Sequence, residues 1–428
     1  MPSITEQELN RLRASVEELT ALNEIAAAIN LSMSVEDITR DILDKCLHRI
    51  HASQGAVFLL DDPSSDVPLF RTFLRETSES REAPPLHLNW AVLGWMAKNK
   101  LVLSINNPAA DSRFHGVDFG TLGITSVLAV PLIAQRGLIG ALVLFNKDNS
   151  DGFSGEDKRF LGIVGSQTAQ VIENARLFGK ERTLLVLEEE MKVARAIQTY
   201  YLPHHDYTTD RYAILGYNEP AKIVGGDYYD MFPLDDCRVV LSIGDVAGKG
   251  LPAALLACEA QGVVRSLFRH DPTTTLPALV HSLNRLFLDM TSSEQYITAL
   301  LAIYDIQSAS ITYVNAGHLP PLLVDREGQV RSLEGSNLVV GAIDGATYDL
   351  YRHRLHPGET LFLYTDGVTE NFDPAGQEYG SDRLRAFLGR VGSISLESVR
   401  DELVADLATF RENAPQSDDI TFLMLRAL

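Results

Sequence analysis

The chain has 428 residues, too many for one ordinary hydrophobic core, so roughly two to four domains are expected. Apolar residues make up 45% and charged residues 22%, a balance that excludes a wholly disordered chain. Lys and Arg total 37 against 57 Asp and Glu, a net charge of −20 that disfavours nonspecific binding to nucleic acid or anionic membrane.

The opening segment, MPSITEQELN, is polar and acidic, unlike a signal peptide. Over residues 1–30 the spacing of Leu9, Leu12, Val16, Leu19, Asn23 and Ala26 predicts a helix with a short heptad seam. Such a helix either packs on its own domain or forms a parallel dimer contact in which Asn23 fixes the register. From Ser34 the sequence reads as a capped helix reaching Ile50. Short β-like runs follow at 56–60, 101–103, 126–130 and 138–145, punctuated by turn clusters such as Asp61-Asp62-Pro63-Ser64-Ser65. Strands and helices alternate without βαβ spacing, which points to a small α+β domain.

The stretch SVLAVPLIAQRGLIGALVLFNK, from Ser126 to Lys147, is followed by Phe153-Ser154-Gly155-Glu156-Asp157 and a helix through Ile172 to Leu177. It resembles the second half of a GAF domain, an antiparallel sheet with helices and a small-molecule pocket. The resemblance assigns residues 31–176 to a GAF sensor with an unidentified small-molecule ligand. Cys46 on its first helix is read as a buried structural thiol and not an attachment point. Trp90 and Trp95 are read as core residues.

No proline occurs between Phe153 and Pro203, and Leu184, Leu187, Met191, Ala194, Gln198 and Tyr201 keep a three-four spacing. Residues 177–202 are therefore expected to form a helical, coiled-coil-like connector, and a homodimer. The chain has three cysteines, Cys46, Cys237 and Cys258, without a CxxC spacing, which argues against a disulfide framework or a structural zinc site. No apolar run approaches the ~20 residues that span a bilayer. A cytoplasmic protein with no membrane span and no nucleic-acid partner is expected.

After Pro203, β-like segments recur at 239–243, 299–304, 311–314, 361–365 and 420–425, with helical stretches at 252–269 and 277–289. Carboxylates fall at their edges among small residues: Asp227 in VGGDYYD, Asp245 in SIGDVAGKG, Asp366 in LYTDGVTE, and Asp418-Asp419 in QSDDITFL. Any one of these reads as a turn residue. If they converge, their mutual repulsion calls for cations, and oxygen-only donors suit Mg²⁺ or Mn²⁺ better than zinc. Two such ions roughly 3.5–4 Å apart activate water for attack on phosphorus. Convergence itself is not readable from spacing.

VGGDYYD, GDVAGKGLPAALL, NAGHLPPLL, YTDGVTE and SDDITFLML, in this order, resemble the metal-dependent PPM (type 2C) serine/threonine phosphatases of the RsbU and SpoIIE branch. That resemblance implies, for residues 203–428, an α-β-β-α sandwich binding two divalent cations, Mn²⁺ or Mg²⁺. It implies a bridging role for Asp245 with the Val246 carbonyl as a further ligand. Asp227 completes one site, and Asp366 and Asp418 the other, while Asp419 either binds directly or orients its neighbour. Gly226, Gly244 and Gly367 are expected to allow close approach. His318 is read as structural in preference to a general acid. Where eukaryotic relatives carry a phosphate-binding Arg, this chain reads Pro220-Ala221-Lys222-Ile223-Val224, and Lys222 is read as solvated. The expected activity is hydrolysis, by metal-activated water, of a phosphoserine or phosphothreonine on a phosphorylated protein. In that branch the substrate is typically a STAS-domain anti-anti-sigma factor, and the GAF domain would regulate through the helical linker. The alternative is a catalytically weak scaffold that docks a partner protein.

Overall fold

The computed structural model describes residues 34–60, 70–76, 86–114, 119, 123–135, 137–290, 295–391 and 394–428. The expected N-terminal helix of residues 1–30 and the turn cluster 61–65 lie outside the described residues. The chain divides into two compact units, one ending at Leu185 and the other beginning at Val186.

In the first unit, α1 (Val35–Ile50) starts where Ser34 Oγ accepts a hydrogen bond from Asp37 N at 3.1 Å and donates to Asp37 Oδ2 at 2.7 Å. This cap satisfies an amide that the first turn cannot, and it sits at the position read from the sequence. The helix ends at His51, which takes a left-handed conformation with φ 55°. It buries Ile38, Ile42, Leu43, Cys46 and Leu47 along one face. Burial pushes the Cys46 thiol up to about 12, so it stays protonated as a structural residue.

The strands β1 (Ala52–Leu60), β2 (Phe70–Glu76), β3 (Leu103–Ile105), β4 (Val127–Ala134) and β5 (Gly137–Lys147) form one antiparallel sheet in the order β2-β1-β5-β4-β3. Its side chains alternate between two cores with the two-residue period of a strand. Val57 and Leu59 face a cluster with α1, whereas Ala56 and Phe58 join Leu93 and Met96 of α2 (Leu86–Asn99). Trp95 packs beside that second cluster. The predicted strand at Leu101–Leu103 is shifted, because Leu101 and Val102 are exposed and pairing begins only at Leu103.

Helix α3 (Gly155–Tyr201) runs for 47 residues without interruption. It begins in the first unit, where Leu161, Val164 and Ile172 are buried, and ends in the second. Midway its apolar residues are uncovered: Leu184, Leu187 and Val193 are all exposed.

The second unit holds two sheets. One comprises β8 (Asp227–Pro233), β9 (Arg238–Val246), β10 (Ile297–Asp305), β11 (Ser310–Ala316) and β14 (Tyr351–Arg354), in the order β14-β11-β10-β9-β8. The other comprises β6 (Tyr207–Thr208), β7 (Tyr212–Glu219), β12 (Leu322–Val324), β13 (Val330–Ser332), β15 (Thr360–Tyr364) and β16 (Ile420–Ala427), in the order β13-β12-β15-β16-β7-β6. Leu241, Ile243 and Leu300 of the first interdigitate with Leu361, Leu363, Leu423 and Leu425 of the second in the central core. The alternate residues face outward onto helices. Val240 meets α4 (Leu251–His270) and α5 (Leu276–Met290), and Phe422 and Met424 meet α6 (Gly380–Val391) and α7 (Leu396–Arg411). The result is the expected α-β-β-α sandwich.

Among the described residues, α4 alone is long and apolar enough to cross a membrane, a departure from the expectation that no run approaches that length. Its apolar character has a core explanation, since Ala253, Ala257, Ala260, Val264 and Phe268 are buried against β8, β9 and β10. An ion pair pins the same helix to β8. Arg265 Nε and Nη2 each donate to the fully buried Asp230 carboxylate at 2.6 Å, with the guanidinium stacked over Phe232. Removing Arg265 would leave Asp230 buried without its cation, so Arg265→Met should cost ~3–5 kcal/mol. Denaturant unfolding of the full chain checks this, and a loss below ~1 kcal/mol would contradict it.

Candidate metal centre

The carboxylates converge because both sheets end at the same edge of the sandwich. Asp227 opens β8 and Asp245 lies near the end of β9, and the antiparallel register sets the two directly opposite each other. In the other sheet Tyr364, at the end of β15, pairs with Phe422 at the start of β16. Asp366 therefore follows one strand where Asp418 and Asp419 precede its neighbour. Two hydrogen bonds tie these edges together: Thr365 Oγ1 donates to Asp227 Oδ2 at 2.7 Å, and Asp227 N donates to Asp419 Oδ2 at 3.4 Å.

Glycines make this approach possible at two positions. A Cβ on Gly225 would stand 2.2 Å from Asp419 Oδ2, and one on Gly367 would stand 2.0 Å from the Asp419 carbonyl oxygen. Any side chain there would force the loops apart.

The electrostatics follow from the crowding. Burial first, then the charges of Asp245 and Asp419, hold the Asp227 carboxyl well above the usual carboxylate range. Burial and the charges of Asp366, Asp418 and Asp419 push Asp245 up to about 7, against a smaller pull from Lys249. Asp366 is raised by burial and by Asp418. Groups in this state favour a cation as partner over a proton-free void.

Among the described residues no three Asp, Glu, His or Cys side chains already stand at coordinating distance of one point. The charges that Asp227, Asp245 and Asp366 feel from one another and from Asp418 and Asp419 make these carboxylates neighbours. Carboxylate oxygens are donors of the kind that suits hard cations. The side chains gathered here are oxygen donors only, and the Val246 backbone lies against Gly226 beside them. Val246 N donates to the Gly226 carbonyl at 3.3 Å, and a Cβ on Gly226 would lie 2.9 Å from Val246 O.

Asp418 and Asp419 differ in surroundings. The Asp419 carboxylate accepts from Ala221 N at 2.8 Å and from Asp227 N, which occupies both of its oxygens. The Asp418 side chain is 35% exposed, and its Oδ2 lies 2.7 Å from Lys249 Nζ. Lys222 is exposed. His318 is buried, with Nδ1 at 3.0 Å from Thr298 Oγ1 and its backbone held by Asn315. Burial pushes it down to about 4, so it stays neutral near pH 7 and serves as a core hydrogen-bonding group.

Three participants escaped the sequence reading. Thr365 directly precedes Asp366, yet its hydroxyl serves Asp227, 138 positions away in the chain. Gln198, read as a seam position, donates through Nε2 to the Gly225 carbonyl at 2.7 Å and accepts from Gly225 N at 3.2 Å. Lys249 sits inside the GDVAGKG motif, between Gly248 and Gly250.

Residues 32–173 match the family model of the GAF domain, and residues 235–428 that of Stage II sporulation protein E (SpoIIE). Protein IcfG of Synechocystis sp. (strain ATCC 27184 / PCC 6803 / Kazusa) is 30% identical over 353 residues, 76% of this chain and 54% of that protein. The chain thus spans about half the length of that relative. Phosphoserine phosphatase RsbU of Bacillus subtilis (strain 168) is 27% identical over 56% of this chain and 70% of its own length. The solved SiaA-PP2C domain of Pseudomonas aeruginosa aligns with a TM-score of 0.50 at 23% identity, covering 57% of this chain and 98% of that one, a likeness of fold. The chain carries a GAF domain followed by a SpoIIE-type PP2C phosphatase domain.

Proposed function

We propose that the second unit is a divalent-cation-dependent phosphatase acting on phosphoserine or phosphothreonine in a protein substrate. The observation that carries this reading is the meeting of Asp227, Asp245, Asp366 and Asp418 at one sandwich edge, where burial and then neighbouring charge raise the carboxyls of Asp227, Asp245 and Asp366. Asp245 feels the charges of Asp366, Asp418 and Asp419, and its own charge acts on Asp227, which supports a role for this carboxylate in serving two ions. Asp227 and the Val246 carbonyl would complete one ion's protein ligands, and Asp366 and Asp418 the other's. Asp419 holds the 221–227 loop by its backbone, and Thr365 orients Asp227. Mn²⁺ or Mg²⁺ bound here would supply Lewis acidity toward the phosphoryl group and lower the pKa of water.

The name of the RsbU relative, a phosphoserine phosphatase, supports the reaction class. A STAS-domain phosphoprotein is the substrate that the RsbU branch suggests. The three free cysteines fit a cytoplasmic setting. The scaffold alternative has less support, since none of the expected carboxylates is missing from the sequence.

We further infer that the GAF domain acts through α3, whose last turns grip the backbone of Gly225 two residues before Asp227. The uncovered Leu184, Leu187 and Val193 support pairing of two connectors. In the full chain Leu187→Cys should form a disulfide-linked dimer under mild oxidation. A monomer at micromolar concentration would remove the dimer.

Activity on a phosphoserine peptide with Mn²⁺ tests the central assignment. Asp245→Asn should lose at least ~100-fold in kcat/KM, and EDTA should abolish wild-type turnover until Mn²⁺ is restored. A variant as active as wild type would sink the bridging role.

A further inference from the structure

We propose that Lys249 is the residue that binds the substrate phosphoryl group, parked on Asp418 until divalent cations engage that carboxylate. The inference rests on the phosphatase reading above.

Lys249 Nζ lies 2.7 Å from Asp418 Oδ2 and 3.1 Å from the Ser417 carbonyl oxygen, so the ammonium stands at the rim of the carboxylate cluster. Its charge reaches beyond that partner, opposing the repulsion felt by Asp245, Asp366 and Glu370. The pair is loosely held: the Lys249 side chain is 54% exposed and that of Asp418 35%. Solvent screening makes such a pair weak and readily exchanged. The local chain also leaves room for movement. Gly248 and Gly250 flank the lysine with φ of 113° and 83°, and no heavy atom lies within 4 Å of where a Cβ would be on either.

Charge balance indicates what the lysine is for. Two divalent cations offset only four of the five carboxylates of the cluster, so beyond direct coordination to the cations the site offers a phosphomonoester dianion no further attraction. One more positive charge at the rim supplies it, and an ammonium on a flexible stem serves as a point-charge phosphate ligand. Lys222, the cation near the position of the missing arginine, is exposed. Metal engagement of Asp418 weakens the hold of that carboxylate on Lys249. The freed ammonium then needs only to turn toward a non-bridging phosphoryl oxygen.

The test uses the full chain and the variants Lys249→Gln and Lys249→Arg. Hydrolysis of a phosphoserine peptide is measured with Mn²⁺, with inorganic phosphate as inhibitor, and Mn²⁺ binding to metal-free protein is followed by calorimetry. The glutamine variant should raise KM and the phosphate inhibition constant by roughly 10-fold or more, with a smaller fall in kcat. The arginine variant should recover most of that loss. Mn²⁺ should bind the glutamine variant as tightly as wild type or tighter, because a tethered competitor is gone. Unchanged phosphate inhibition in the glutamine variant, or weakened Mn²⁺ binding, would overturn the proposal. A wild type that neither binds Mn²⁺ nor turns over would bring down the phosphatase reading itself, and the role of Lys249 with it.

Discussion

Mutual repulsion among crowded, partly buried carboxylates is the constraint on which the site depends. Asp227 and Asp245 face each other across two strands, and the other sheet brings Asp366, Asp418 and Asp419 to the same edge. Such an arrangement is unfavourable unless positive charge or protons offset it. The sandwich tolerates it because the opposing charge sits at one edge while the interior is filled with aliphatic side chains from both sheets. The hydroxyl of Thr365 and the carboxylate of Asp419 then fasten the two edges to each other, so the acids cannot simply spread. A fold that stores repulsion at an edge has prepared a place for cations.

Much of this was legible in the chain itself. Ser34 caps the first helix where expected, the proline-free run became one helix of 47 residues, and the motifs around Asp227, Asp245, Asp366 and Asp418 lie at strand ends. Periodicity carried those readings because each depends on neighbours within a few residues. Contacts between distant segments left no such trace. Thr365 serves Asp227 and not its neighbour Asp366, and Gln198 serves a backbone rather than a helix seam. Lys249 was hidden differently: it lies in a motif read for its acid and its glycines. The strand expected from Leu101 starts two residues late, since hydrophobicity alone did not say that Leu101 and Val102 remain exposed. Helix α4 passes for a membrane span by length and composition, although its small and apolar face is spent on the sheet beneath it.

The proposed coupling between the GAF domain and the cation site has a specific physical route. A long helix transmits rotation better than a flexible linker. At its end the Gln198 side chain makes both hydrogen bonds that the Gly225 peptide offers, and Gln261 Nε2 donates to the Tyr201 carbonyl at 2.7 Å. A shift of the last helical turn would therefore be felt at the loop that carries Asp227. A change of a few kcal/mol in the preference between two such positions is enough to move a population from mostly one state to mostly the other.

Calorimetric titration of the metal-free full chain with Mn²⁺ tests the account most directly. Two bound ions per chain are predicted, with heat lost when Asp227 or Asp366 is changed to Asn. A flat trace, or binding indifferent to both substitutions, would contradict a cation site built from these carboxylates.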